Sequence, residues 1–140
     1  MPVPVKHKKF KKALIITRNR DISSLSRLVL KDKIFCLVMN SAPDAKVIFK
    51  SSEATQILIL DWSLQDKYNS LYKCLVEAKA RKKVLIVNIF SSKSEKSFLL
   101  KKIPNLKSNN KVYFVSSELL SISLLIVLLK IRKRLASLEG

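Results

Sequence analysis

The sequence predicts a doubly wound α/β domain, in which helices cover both faces of a parallel sheet. Five short apolar runs recur along the 140 residues, and they lack the polar alternation of half-exposed strands. Segments with helical spacing separate these runs, and such alternation is typical of parallel sheets with right-handed crossovers. The 48% of hydrophobic residues is enough to build the core of one domain of this kind.

Each apolar run predicts one strand, and the segments between the runs predict the helices. The predicted strands are Ala13–Thr17, Ile34–Met39, Gln56–Asp61, Val84–Ile89 and Val112–Ser116. The apolar stripes of the first four helices are Ile22, Leu25, Leu28 and Val29; Val47 and Ile48; Leu71, Leu75 and Ala78; and Leu99, Leu100 and Ile103. A serine followed three residues later by an acid marks two helix starts, at Ser41 and Ser92. A fifth helix is predicted over Glu118–Leu135.

The domain is predicted to span residues 13–136. Residues 1–12 form a basic N-terminal tail, and residues 137–140 form a C-terminal tail or a cloning scar. The longest apolar stretch, Leu119–Leu129, is shorter than the ~20 residues that cross a bilayer, so we expect no membrane span. Because Cys36 and Cys74 are isolated and no signal peptide is recognisable, we expect buried reduced thiols and a cytoplasmic location.

Composition excludes most classes of enzyme. The chain has one glycine, Gly140, and one histidine, His7, and both lie near the termini. Phosphate-binding loops and nucleophile elbows need glycine, because the backbone must turn sharply or approach the ligand closely. Catalytic triads and HExxH zinc sites need a histidine within the fold. We therefore expect a non-enzymatic protein with no bound metal or cofactor.

The third strand and the loop after it have the sequence ILILDWSLQD, in which an apolar run ends at Asp61. This segment resembles the third-strand signature of bacterial response-regulator receiver domains, with Gln65 in place of the usual proline. The resemblance covers roughly residues 12–135, including the order and spacing of all five strands. It implies the flavodoxin-like (βα)5 fold with strand order 2-1-3-4-5, and it makes Asp61 the equivalent of the phosphoacceptor.

Compared with that family, the other positions of the phosphorylation switch are degenerate. The resemblance implies a Mg²⁺-binding acidic pair after the first strand, where this chain has Thr17 and Arg18. It implies a hydroxyl residue where Asn88 stands, and a lysine where Ser116 stands. We therefore predict a pseudo-receiver in which Asp61 is a structural carboxylate, bonded to Arg18 or to nearby backbone N–H groups. The alternative is an atypical phosphoacceptor receiver that still uses Asp61.

The last helix has two apolar stripes. The first suits packing on the sheet and consists of Leu120, Leu124, Val127, Leu128, Ile131 and Leu135. The second stripe lies opposite and consists of Leu119, Ile122, Leu125, Ile126 and Leu129. We predict that the second stripe binds a protein partner or a second copy of the chain; receivers commonly use their fourth helix, fifth strand and fifth helix in this way. The alternative is cover by the neighbouring helix and the N-terminal tail.

The net charge of +18 predicts attraction to polyanions. Non-specific binding of nucleic acid, of anionic lipid or of an acidic protein would follow from it, so a basic nucleic-acid-associated protein is a second alternative. No helix-turn-helix, zinc finger or RNP-like motif is recognisable. A bias of an AT-rich genome toward lysine would also explain the charge without a function. Trp62 is either packed on the following helix or exposed to contact a ligand.

Overall fold

The computed structural model describes residues 11–64, 66–116 and 118–139, with side chains as far as Leu135. Strands and helices alternate along these residues. The strands are β1 (Lys12–Ile16), β2 (Phe35–Met39), β3 (Thr55–Asp61), β4 (Leu85–Phe90) and β5 (Val112–Ser116). The helices are α1 (Arg20–Leu30), α2 (Ala42–Ser51), α3 (Ser70–Ala80), α4 (Lys93–Lys102) and α5 (Leu120–Glu139).

The five strands form one parallel sheet in the order β2-β1-β3-β4-β5, as predicted. The register pairs Ile16 with Leu60 and Leu60 with Asn88, so β3 extends one residue and β4 two residues beyond the end of β1. The carboxyl ends of the strands therefore form one edge of the sheet, the carboxyl edge. The amino ends of the strands and the C-terminal ends of the helices form the opposite amino edge.

Helices cover both faces of the sheet, which explains why the strands are apolar without alternation. Leu14 and Ile16 point into a core formed with α2, α3 and α4. Ala13 and Ile15 point into the second core, formed with α1 and α5. Successive side chains of one strand thus enter opposite cores, as the pleat of a β-strand requires.

The two predicted helix starts are confirmed. Ser41 Oγ accepts a hydrogen bond from the N–H of Asp44 at 3.3 Å, and Ser92 Oγ accepts one from the N–H of Glu95 at 3.3 Å. The start of α1 is capped instead by Asn19, whose Oδ1 accepts bonds from two backbone N–H groups. These caps satisfy amide groups that have no partner within their own helix.

The helix stripes needed two corrections. Leu28 and Val47, both placed in the predicted apolar stripes, are 69% and 66% exposed. In α2 the buried residues are Ala42, Ala45 and Phe49. The stripe therefore lies next to the predicted one, because Phe49 rather than Val47 follows Ala45 by one helical turn.

The bounds of α5 and the burial of the two cysteines differ in part from the predictions. Helix α5 begins at Leu120 and continues to Glu139, beyond the predicted domain end at residue 136. Cys74 is buried and Cys36 is half-buried, and both are free thiols. Burial raises the pKa of Cys74 to about 11. Among the helices of the described residues, none is long and apolar enough to cross a membrane.

Candidate functional site

Asp61 ends β3 at the carboxyl edge, and the residue is only 5% exposed. Its Oδ2 atom accepts a hydrogen bond of 2.6 Å from the hydroxyl of Thr17, the residue after β1. Its Oδ1 atom accepts bonds from the backbone N–H and the hydroxyl of Ser63, at 3.1 and 2.7 Å. Both carboxylate oxygens are therefore bonded to groups of the chain itself.

The predicted contact between Asp61 and Arg18 is wrong. Arg18 is exposed, and its Nε atom donates to the carbonyl of Asn40 at 3.2 Å. In the part of the chain that the structure describes, the ion pairs are those of Arg81 with Glu77 and of Arg132 with Asp32. The reason is local, because consecutive side chains at a strand end point in opposite directions and Thr17 already faces Asp61.

The other half of that hypothesis, a bond from a nearby backbone N–H, is met by Ser63. Ser63 was not identified from the sequence, although its position two residues after Asp61 is typical of an Asx-turn. Thr17 Oγ1 also accepts a bond of 3.0 Å from the N–H of Asn19, the residue that caps α1. Asp61 thus connects the end of β3 to the β1–α1 loop.

Asn88 lies in β4 and is fully buried, but it bonds to Trp62 rather than to Asp61. The indole Nε1 of Trp62 donates to Asn88 Oδ1 at 2.8 Å, and the indole is 4% exposed. Trp62 also stacks on Phe90, which stacks on Phe114, with ring centroids 6.3 and 6.2 Å apart. The packed interpretation of Trp62 is therefore the right one, and the exposed one is wrong.

Ser116 is exposed at the end of β5, where its hydroxyl donates to the carbonyl of Glu118 at 3.4 Å. It borders a hollow of about 450 Å³ that also contacts Lys93 and Lys96 at the start of α4. The carboxyl edge thus holds two separate groups, one around Asp61 and one around the Trp62–Asn88 bond, with Ser116 outside both. In the described ranges, no cluster of three or more His, Cys, Asp or Glu side chains is placed to hold a metal ion.

The second stripe of α5 is exposed along the described chain. Its five side chains, Leu119, Ile122, Leu125, Ile126 and Leu129, are between 37% and 72% exposed. Helix α1 packs beside α5 but leaves an open groove of about 390 Å³, lined by Leu25, Leu28, Ile122 and Leu125 among others. The neighbouring helix therefore does not cover the stripe, and Leu28 enlarges the apolar surface. The N-terminal tail, residues 1–10, lies outside the described residues.

The structure is similar to the crystal structure of a response regulator receiver domain protein (CheY-like) from Methanospirillum hungatei JF-1. The TM-score is 0.63, the sequences are 14% identical, and the match covers 93% of this chain and 97% of the other. No family model matches the chain, and no curated protein matches it significantly. The chain has the receiver fold, as the third-strand segment suggested.

Proposed function

We propose that this chain is a receiver-like signalling module that acts through protein contacts and independently of phosphorylation. The observation that supports the proposal best is the set of bonds at Asp61. Its two carboxylate oxygens accept three hydrogen bonds from Thr17 and Ser63, and the group is nearly buried. Transfer of a phosphoryl group to Asp61 would require the loss of some of these bonds.

The groups around Asp61 also disfavour Mg²⁺. This ion prefers one or two carboxylates together with phosphate and water oxygens in near-octahedral geometry. The two residues after β1, where the resemblance implies an acidic pair, are the hydroxyl residue Thr17 and the cation Arg18. Asp61 therefore lacks the second carboxylate that would hold the metal during phosphoryl transfer.

A labelling experiment tests the loss of the switch. The protein is incubated with Mg²⁺ and a radiolabelled acyl phosphate, next to Asp61→Asn and to Asp44→Asn, which changes an exposed aspartate on α2. We expect the same background labelling in all three proteins. Strong labelling of the wild type and of Asp44→Asn, but not of Asp61→Asn, would establish the atypical phosphoacceptor instead.

The missing acidic pair can also be rebuilt. In the double variant Thr17→Asp/Arg18→Asp, the new carboxylate at position 17 faces Asp61 and the exposed cation at position 18 is removed. The repulsion between the two facing carboxylates is relieved when a divalent cation binds. We expect Mg²⁺ to raise the Tm of this variant and to leave the Tm of the wild type unchanged. A rise in the wild type that Asp61→Asn abolishes would contradict the proposal.

The proposed partner surface is the second stripe of α5, together with Leu28 of α1. Four of its side chains lie on one exposed face of α5, and Leu119 immediately precedes the helix. Together they form an apolar patch of a kind that soluble monomers seldom expose. Leu119, at the start of this patch, also has a φ of 52°, in the left-handed region that a leucine rarely adopts. Its exposed side chain does not offset that strain within the chain, which favours a role in contacts with a partner.

Self-association through this surface is tested with Leu125→Glu. The matched control is Val47→Glu, which introduces the same charge at an exposed apolar position of α2. We expect light scattering to give a dimer for the wild type and Val47→Glu, and a folded monomer for Leu125→Glu. A wild type that stays monomeric at high concentration would refute self-association and leave a different protein as the partner.

A further inference from the structure

An open cleft of about 780 Å³ lies at the amino edge of the sheet. Its walls are the end of α2, the loop before β3 and the start of that strand, the loop 81–84 between α3 and β4, and the residue before β1. The charged residues that line it are Lys11, Lys50, Glu53, Arg81, Lys82 and Lys83. Five of these six are cations, so the cleft has a strong positive potential on the face opposite the Asp61 site.

One of these cations has a structural task. The guanidinium of Arg81 donates to the carbonyl oxygens of Ser52 and Phe49, at 2.7 and 2.9 Å, and pairs with Glu77. It also stacks on the ring of Phe49, 4.0 Å from the centroid. Arg81 therefore joins the C-terminal end of α2 to that of α3, and its donors are largely occupied.

Lys111, from the loop before β5, binds the loop that follows α3. Its Nζ atom donates to the carbonyl oxygens of Arg81 and Lys82, at 2.9 and 3.2 Å. The backbone that presents Lys82 and Lys83 is thus fixed by two cations that serve the helix ends. Such a fixed backbone reduces the ordering that a ligand would have to impose on the cleft.

The other four cations of the cleft are lysines. Lys11, Lys50, Lys82 and Lys83 are exposed, and within the described chain their ammonium groups form no ion pair. Glu53 is the one carboxylate among the lining residues that faces them. A bound polyanion would neutralise these like charges, which line one cleft.

We propose that this cleft binds the phosphate backbone of a nucleic acid without reading its sequence. Lysine ammonium groups act as point charges that attract phosphates without fixing their geometry, whereas arginine forms bidentate bonds with carboxylates and phosphates alike. The one arginine of the cleft, Arg81, is occupied by carbonyl groups, so a ligand would contact lysine ammonium groups, which suit a phosphate backbone bound without sequence reading. No aromatic side chain is among the lining residues, so base stacking does not contribute. This inference is independent of the signalling role proposed above.

The test is the binding of a fluorescent DNA duplex by anisotropy between 50 and 200 mM salt. If the four lysines contact four phosphates, the slope of log K against log salt is about −3.6, and affinity falls about 150-fold over this range. In the variant Lys82→Gln/Lys83→Gln, the slope becomes shallower by about 2 and affinity at low salt falls at least tenfold. The control, Lys101→Gln/Lys107→Gln, removes the same charge from exposed lysines outside the cleft and changes affinity less than about twofold.

Three results would overturn the proposal. Equal weakening by the two double variants would show that binding depends on the total charge and not on the cleft. Tighter binding of polyglutamate than of the duplex, at matched length and salt, would indicate an acidic protein as the partner. Absence of measurable binding of the full chain at 50 mM salt would refute nucleic-acid binding outright. Circular dichroism of all variants verifies that the exposed substitutions leave the fold intact.

Discussion

The polar and charged groups at the carboxyl edge and at the amino edge of the sheet differ in how far they are bonded within the chain. At the carboxyl edge, Asp61 is bonded to Thr17 and Ser63, and the polar groups of Trp62 and Asn88 bond to each other. At the amino edge, cations outnumber the groups that bind them. The Asp61 carboxylate at the carboxyl edge is thus hydrogen-bonded within the chain, whereas four lysines at the amino edge form no ion pair among the described residues.

The topology explains part of this difference. In a parallel sheet with helical crossovers, the helices end at the amino edge, where their last carbonyl groups attract cations. Arg81 donates to the carbonyl that follows α2, and Lys111 donates to a carbonyl that follows α3. Arg132 donates to the carbonyl of Val29 at the end of α1. A basic amino edge is therefore expected in any such fold. Only the four cleft lysines, which are additional to these three cations, support the proposed ligand.

The largest expected effect is that of Trp62→Ala at the carboxyl edge. It removes a buried indole from the stack with Phe90 and leaves Asn88 Oδ1 without its donor. We expect a loss of about 3–5 kcal/mol in the free energy of unfolding, measured in urea. Tyr68→Ala, at a 60% exposed aromatic position on the same side of the chain, should change it by less than about 1 kcal/mol. Similar values for the two variants would contradict the assignment of Trp62 to the core.

At the amino edge, Arg81→Gln and Lys82→Gln separate structural from surplus charge. Arg81→Gln loses the bonds to two carbonyl groups and the contact with the Phe49 ring, so we expect a loss of about 2–3 kcal/mol in urea. Lys82→Gln removes no side-chain bond, and we expect a change within about 0.5 kcal/mol. Equal losses would mean that the lysines of the cleft also stabilise the fold.

The two edges also differ in how much of their structure can be predicted from the sequence. The apolar runs predicted the five strands, and the resemblance to receiver domains grouped Thr17, Asp61 and Asn88 in one site. The hydrogen-bond partner of Asp61 was not predictable in the same way. It depends on which of two consecutive side chains, Thr17 or Arg18, points toward Asp61. The Trp62–Asn88 bond joins residues 26 positions apart and leaves no local pattern. The amino-edge cleft combines four separate segments, so only the fold brings its lysines together.

A smaller effect is expected for Asp61→Asn, and its sign distinguishes two states of the carboxyl edge. In the structure the carboxylate accepts three bonds, so the amide, with one acceptor oxygen, should lower the free energy of unfolding by about 1–2 kcal/mol. A carboxylate held ready for a metal would instead be an unfavourable buried charge, and its removal would stabilise the protein. Asp44→Asn on α2 serves as the control for the loss of one negative charge.

The smallest effect concerns the ion pair at the end of α1, and it is visible only in acid. The guanidinium of Arg132, bonded to Asp32, lowers the pKa of that carboxyl from 3.8 to about 2. Because the pKa is lower in the folded state, the contribution of the pair is complete above pH 4 and disappears as the pH falls toward 2. In urea unfolding across this range, Asp32→Asn should lose stability less steeply than the wild type, with a constant small difference above pH 5. An unchanged acid slope would mean that Arg132 serves the carbonyl of Val29 alone, which would place it with Lys111 among the cations that bind only helix ends.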